Sequence, residues 1–370
     1  MVSEGPKLSV AILGTRGVPP RYGGFETFAA ELGKRLVARG HRVTVYCRAA
    51  LYPDAPREWE GIRRVDLPAF GHKYLETVTH TLVSGLHAMS EAYDVALVCN
   101  AANAFVLPLL RSARIPVAIN VDGIERKRKK WNALGRMVYH AGEALSVSRS
   151  DALVADASVI ADYYRTEFGC QARVIPYGCE FPEESESDIL RRLEILPRRY
   201  LLYVSRFEPE NNALEVVEAY GRIRAELPLV MVGDAPYAKD YIARVRSAAD
   251  ERVLFPGAVY GIDYRTLQRN ALLYIQATEI GGTHPALIEA MASGGAVLAN
   301  GTPENREVGG DAVRYFSLGE GETLSALLRE LLSRPGDIEN LRPPARRRAL
   351  HLYGWEGVTD RYEKLFRELR

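Results

Sequence analysis

The chain has 370 residues, of which 47% are hydrophobic and 26% charged, and its formal net charge is +1. That is the make-up of a folded soluble protein long enough for two domains of ordinary size, and it excludes both a disordered chain and the strongly basic balance of a nucleic-acid binder. Cys47, Cys99, Cys170 and Cys179 have no metal-like spacing and no Asp-x-Asp pair occurs, so no metal and no other cofactor is expected.

Met1 to Lys7 is short and polar and runs into LSVAILG (8–14), which reads as a buried strand and not as a secretory leader. The scattered thiols fit a reducing compartment, so a cytoplasmic protein is expected. A long loop follows, GTRGVPPRYGGFE (14–26), and then a helix from Phe25 to Arg39 that stops at Gly40. Gly14 and Gly17 are three apart and two prolines follow. A nicotinamide site needs an immediate tight turn and helix, so the spacing argues against an NAD dehydrogenase. HRVTVYCR (41–48), DVALVCN (94–100), PVAINVD (116–122), DALVADA (151–157) and ARVIPYG (172–178) continue as strands alternating with helices, the signature of a parallel sheet. The most apolar run, Ala96–Leu110, is broken by Asn100, Asn103 and Pro108 and does not span a membrane.

Asp122 ends its strand beside Gly123. A carboxylate there suits a ligand hydroxyl or the uptake of a proton, and Asp-Gly is equally an ordinary turn. The run Arg126–Lys130 and Trp131 contribute to a charge asymmetry: 23 Lys and Arg face 18 Asp and Glu through residue 180, a balance of +5, against 25 and 29 beyond it, −4. Such a run fits either an anionic lipid surface or a solvated helix face. Tyr139 and His140 lie on a predicted helix, as packing or surface groups.

A second series of strands begins after the acidic stretch Glu180–Arg199: RYLLYVSRF (199–207), LPLVMVGD (227–234), RVLFPGAV (252–259), LLYIQAT (272–278) and AVLAN (296–300). In open α/β sheets ligands sit beyond the carboxyl ends of strands, which singles out Arg206 and the stretch EIGGTHPALIEAMASG (279–294). Arg206 offers a fixed planar charge to a diphosphate. Backbone N–H groups of Gly281, Gly282 and Thr283, before a helix carrying Glu289, form an anion seat, although paired glycines are also plain turn chemistry. RPPARRR (342–348) reads as a solvated loop and helix start. HLYGWEGVTDRYEKLFREL (351–369) places Trp355, Val358, Tyr362, Leu365 and Phe366 on one helical stripe.

The segment 279–294, with GTRGVPPRYGGFETFAAELGKRL (14–36), NVDGIERKRKKWN (120–132), IPYG (175–178) and SRFEPENN (205–212), resembles glycosyltransferase family 4, and within it a bacterial rhamnosyltransferase-like branch. The resemblance covers nearly the whole chain. It implies an α/β GT-B fold, two Rossmann-like doubly wound domains facing across a cleft: 1–185 for the acceptor, 186–350 for the nucleotide-sugar, and 351–370 as a helix returning to the first. It implies donor contacts from Gly23, Gly24, Arg16, Arg206, Asn211, Gly257, Val259, Glu279, Gly281, Gly282, Thr283 and Glu289, and acceptor contacts from Phe25, Glu26, Asp122 and Glu125. Arg206, Glu289 and Asp122 would carry the chemistry. The implied reaction is retaining, metal-independent transfer from a dTDP-, UDP- or GDP-sugar, with rhamnose the first guess, to a lipid-linked or polysaccharide acceptor. It belongs to cell-surface glycan synthesis, peripheral on the inner membrane face through Arg126–Trp131. Two departures stand out. Most relatives carry Lys where Asn211 stands, and the wider family usually has Glu where Gly281 stands, although the rhamnosyltransferase-like branch shares the Gly-Gly-Thr arrangement; Glu279 is the nearest carboxylate. A GT-B epimerase or phosphorylase would need acid–base groups or a cofactor-bearing Lys that are not evident, and a non-catalytic nucleotide-sugar-binding module is the remaining alternative.

Overall fold

The computed structural model describes residues 5–21, 23–70, 76–127, 132–180, 187–319, 321 and 323–370. The chain forms two compact units, one of residues Met1–Tyr177 and Trp355–Arg370 and the other of Gly178–Gly354. The first division, after Tyr177, falls eight residues ahead of the 185/186 boundary read from the sequence, and the second, after Gly354, four residues beyond the 350/351 boundary.

The first unit runs β1 (Ser9–Leu13), α1 (Gly24–Ala38), β2 (Arg42–Arg48), β3 (Glu58–Trp59), β4 (Ile62–Leu67), α2 (Glu76–Ala88), β5 (Val95–Cys99), α3 (Leu107–Ser112), β6 (Val117–Asn120), α4 (Ala133–Arg149), β7 (Ala152–Ala155), α5 (Ser158–Phe168) and β8 (Arg173–Val174). Its strand order is β3-β4-β2-β1-β5-β6-β7-β8, parallel except for the β3–β4 hairpin. The apolar runs pack both faces of the sheet: every residue of β1 and β5 is buried, as a parallel sheet with helices on each side requires. Local chemistry sets the helix ends. The Asn132 side chain accepts from the Gly135 N–H at 2.9 Å to start α4, and Gly169, left-handed at φ 65, stops α5.

The second unit runs α6 (Ile189–Arg192), β9 (Leu201–Val204), α7 (Ala213–Gly221), β10 (Leu229–Val232), α8 (Lys239–Ser247), β11 (Val253–Gly257), α9 (Gly261–Asn270), β12 (Leu273–Gln276), α10 (Pro285–Ala292), β13 (Val297–Asn300), α11 (Pro303–Gly309), β14 (Arg314–Phe316), α12 (Leu324–Ser333) and α13 (Pro335–Tyr353). Its sheet, β11-β10-β9-β12-β13-β14, is parallel throughout. The last helix, α14 (Trp355–Leu369), belongs to the first unit, where Phe28 packs against Trp355 and Tyr362 at 6.1 and 5.3 Å.

Two strands of the first sheet carry no apolar-run signal. In β4, Ile-Arg-Arg-Val-Asp-Leu, charges interrupt the pattern; Arg64 is nonetheless buried because Asp66 and the Pro56 carbonyl receive its guanidinium. β3 reaches it through Glu60 and Gly61, both at positive φ, the geometry of a two-residue hairpin. The stretch Arg342–Arg348 is a correction: it lies inside α13. Arg342 is buried and donates to the carbonyls of Gly294, Ala271 and Leu272, while Arg348 donates to those of Glu307 and Val308. Pro343 and Pro344 each lack an N–H, yet the helix continues because it is anchored by these side chains and by Ile338, Ala345 and Ala349 in the core.

Candidate functional site

Strand order locates a switch point in each sheet. The second unit winds outward through β10 and β11, then returns to place β12 on the other side of β9; ligands of such sheets collect beyond the carboxyl ends of the two strands that flank the reversal. The chain beyond β9 is Ser205–Asn212 and that beyond β12 is Ala277–His284. Hydrogen bonds join the two loops. The Glu279 N–H donates to the Glu210 carbonyl at 2.9 Å, and Asn212 Nδ2 donates to the Ala277 carbonyl at 2.8 Å.

Arg206 stands at this place with its side chain 44% exposed. One guanidinium nitrogen lies 3.6 Å from Glu208 Oε2, and the other oxygen of buried Glu208 accepts from the Tyr237 hydroxyl at 2.7 Å, so the acid orients the cation while leaving a solvent-facing edge. Asn211 is buried and turned inward: its Nδ2 donates to the Arg206 carbonyl at 2.7 Å, and its own carbonyl accepts from Tyr203. Asn211 therefore holds the backbone that presents Arg206.

The glycine turn leads to α10, whose N-cap is His284 and whose first residue is Pro285. Gly282 and Thr283 are buried, Gly281 and Glu279 partly so. A Cβ on Gly281 would meet the His284 ring at 2.4 Å, so the ring's position over the turn requires glycine. Half-buried Glu289 accepts from the Tyr264 hydroxyl through Oε2 at 2.6 Å. Gln268 donates to that hydroxyl at 2.7 Å and to the Ala286 carbonyl at 3.1 Å, tying α9 to α10. Burial pushes the Glu289 carboxyl above the usual range, while the Tyr264 bond and Arg265 oppose the shift. Gly257, at φ 83, closes β11 and accepts from the Gly233 N–H at 2.9 Å, with Val259 two residues on.

In the first unit the reversal lies between β1 and β5. Gly14, at φ 87, leaves β1 so close to β5 that a Cβ would lie 2.5 Å from the Cys99 carbonyl oxygen, a position only glycine fills. Arg16 donates its N–H to Glu26 Oε1 at 2.9 Å, and its carbonyl accepts from Arg48. Glu26 is buried in the first turn of α1; one oxygen is thus engaged with the loop, and Gly23, the N-cap, lies beside the other. Gly24 is exposed, and Phe25 meets Phe28 edge-on at 6.3 Å.

Asp122, half-buried at φ 62, follows β6. Its N–H donates to Asn120 Oδ1 at 3.0 Å and its carboxylate accepts from Asn100 Nδ2 at 3.4 Å. Glu125 opens a short turn and is partly exposed. Arg126 is tied to Tyr163 at 2.7 Å and to buried Glu143 at 3.2 Å; residues 128–131 of the basic run lie outside the described residues. Tyr139 and His140 lie on α4, where His140 packs on Phe168 at 5.5 Å. Among the described residues no three His, Cys, Asp or Glu side chains gather as a metal site and no helix is long and apolar enough to cross a membrane.

The sequence pattern singled out the strand-end residues but not their supports: Tyr264, Gln268, Tyr237, Asn100 and Asn120. Asn100 and Asn120 did carry a signal, since each is a polar residue at the end of an apolar strand. The helix residues Tyr264 and Gln268 carried none beyond their spacing of four.

Two wound parallel sheets, each with polar loops and glycine turns at its switch point, define the class as doubly wound α/β proteins, which take their ligands at strand ends. Residues 23–178 match the family described as "Glycosyl transferase 4-like domain", and residues 187–348 match "Glycosyl transferases group 1". The chain is a GT-B glycosyltransferase of the family 4-like kind. Alpha-monoglucosyldiacylglycerol synthase of Streptococcus pneumoniae is 23% identical over 342 residues, covering 85% of this chain and 77% of that protein. Among solved structures, sucrose-phosphate synthase of Thermosynechococcus elongatus superposes with a TM-score of 0.84 at 20% identity over 98% of this chain and 99% of its own. Anabaena HepE in complex with UDP-glucose superposes with a TM-score of 0.80 at 16% identity, over 98% and 100%.

Proposed function

We propose that this glycosyltransferase moves a sugar, with retention and without a metal, from a nucleoside-diphosphate donor to a lipid-linked or saccharide acceptor in the synthesis of a cell-surface glycan. The observation that carries the reading is the joined pair of loops at the second switch point, with Arg206 on one and the glycine turn before α10 on the other. Arg206 and the α10 N-terminus receive the diphosphate, and Glu289 receives hydroxyls of the donor. In the reaction the bond from sugar C1 to the diphosphate oxygen breaks and the bond from C1 to the acceptor oxygen forms; the acceptor proton passes to the departing phosphate. Charge growing on that phosphate meets a fixed guanidinium and oriented amides, which stabilise it without a metal.

Asp122 serves as a ligand of the transferred sugar or the acceptor, with Glu125, Gly23, Gly24 and Phe25 on the same unit. HepE binds UDP-glucose, which supports a UDP-sugar; Gly281 in place of a carboxylate supports a sugar with fewer hydroxyls, dTDP-rhamnose first. The diacylglycerol relative supports a lipid-linked acceptor. Leu134, Met137 and Val138, exposed at helical spacing at the start of α4, follow the basic run in sequence and support docking of Arg126–Trp131 on anionic lipid.

A thermal-shift panel of UDP, GDP and dTDP, without and with Mg²⁺, tests the donor site, since a ligand of the native state raises Tm. A metal-independent shift with one base is expected, followed by turnover of that base's sugar. Binding without turnover on any acceptor would replace this reading with a non-catalytic module. Co-sedimentation with vesicles containing phosphatidylglycerol, absent with neutral vesicles, is the expected behaviour at the membrane.

A further inference from the structure

Helix α14 supplies the first sheet with more than apolar surface. Tyr362 is fully buried, with its ring against Phe28 at 5.3 Å and Phe366 at 5.8 Å, and its hydroxyl accepts a 2.9 Å bond from Asn120 Nδ2. Asn120, buried as the last residue of β6, turns its Oδ1 to the Asp122 N–H at 3.0 Å. An amide side chain has its donor and acceptor on opposite arms. The bond to Tyr362 therefore fixes which arm faces Asp122. Asp122 needs that hold, because a non-glycine residue at φ 62 is strained unless its surroundings over-determine it. Asn100, whose Nδ2 donates to the Asp122 carboxylate at 3.4 Å, is itself at φ 72.

We propose that Tyr362 is a positioning residue for sugar transfer: through Asn120 it holds the left-handed Asp122 turn and so aims the Asp122 carboxylate at the carboxyl edge of the first sheet. The proposal rests on the reading of Asp122 as a sugar or acceptor ligand. It gives the chain's return to its first unit a catalytic consequence, since a residue of the last helix completes a site built 242 positions earlier.

Tyr362→Phe keeps the packed ring and deletes the hydroxyl. With the full-length chain and the donor that the wild type turns over, kcat is expected to fall between about tenfold and about a hundredfold. The Kd of the corresponding nucleoside diphosphate stays within about twofold, because that ligand is read by the second unit. In an Asn120→Ala background the same hydroxyl deletion has little further effect, because the link is already cut. A kcat within about twofold of wild type overturns the proposal, as does full additivity of the two substitutions or a fall in Tm with kcat intact. Should Tyr362→Phe not fold, Asn120→Ala alone is read by the same split of kcat against Kd, with the same outcome overturning it. A wild type that transfers no sugar overturns the functional reading and this proposal together; an active wild type matched by Tyr362→Phe overturns the proposal alone.

Discussion

At the scale of single residues, the second switch point depends on one exposed cation and one held carboxylate. If the proposed donor site is right, Arg206→Ala would leave the Glu208 carboxylate facing the diphosphate with no cation between, so a loss of about 3 kcal/mol of transition-state stabilisation is expected, read as a roughly hundredfold fall in kcat/KM. Unchanged kinetics would remove Arg206 from the site. Tyr264→Phe frees the Glu289 carboxylate from its 2.6 Å bond; donor KM should rise about tenfold with Tm lowered by only a few degrees, as for a net hydrogen bond to a charged group. Gly281→Ala drives a methyl into the His284 ring 2.4 Å away, so nucleotide affinity should fall through displacement of the turn while α10 keeps its helicity by circular dichroism.

At the scale of elements, polar side chains buried in helices tie the elements together. Arg342 on α13 serves the carbonyls of Gly294, Ala271 and Leu272; Arg342→Met is expected to cost about 3 kcal/mol in urea unfolding, because the carbonyls lose a charged donor they cannot replace with water. On α2, His80 is fully buried and its ring is held neutral by burial, its pKa lowered from 6.5 to about 4. The unfolded chain binds this proton more readily, so the contribution is present above pH 6.5 and is lost as pH falls toward 4, up to about 3 kcal/mol. His80→Leu should flatten the decline of Tm over that interval, and an unchanged pH profile would place the acid sensitivity elsewhere.

At the scale of the whole molecule, α14 seals the first unit with Trp355, Val358, Tyr362, Leu365 and Phe366. Arg39 of α1 binds Glu356, Asp360 and Glu363 along the same helix. A chain ending at Gly354 should expose that core, binding a hydrophobic dye and losing the cooperative melt of the first unit while the second unit still binds nucleotide. Loss of both transitions would mean that the second unit depends on the first.

Much of this was legible in sequence. Strands such as VALVC and LVMV are buried on both faces, and an unbroken apolar run is the direct consequence of that burial; Arg206 and the Gly-Gly-Thr turn stand out because strand ends are where such sheets place polar chemistry. The hairpin of β3 and β4 and the edge strand β14 were not legible, since Arg63, Arg64 and Arg314 interrupt the pattern, and only the tertiary partners of Arg64 make its burial tolerable. RPPARRR misled for the same reason: local propensity ends a helix at Pro343, while Arg342 and Arg348 anchor it to carbonyls far away in the chain. By itself the sequence determined the class of fold, the two series of strands and the loops at their carboxyl ends, because those follow from periodicity and turn chemistry acting over a few residues. Only the tertiary structure decided that Asn211 turns inward to hold Arg206, that Tyr264 holds Glu289 and that Tyr362 reaches Asn120, because each is a hydrogen bond whose partners are brought together by packing and leave no periodic trace.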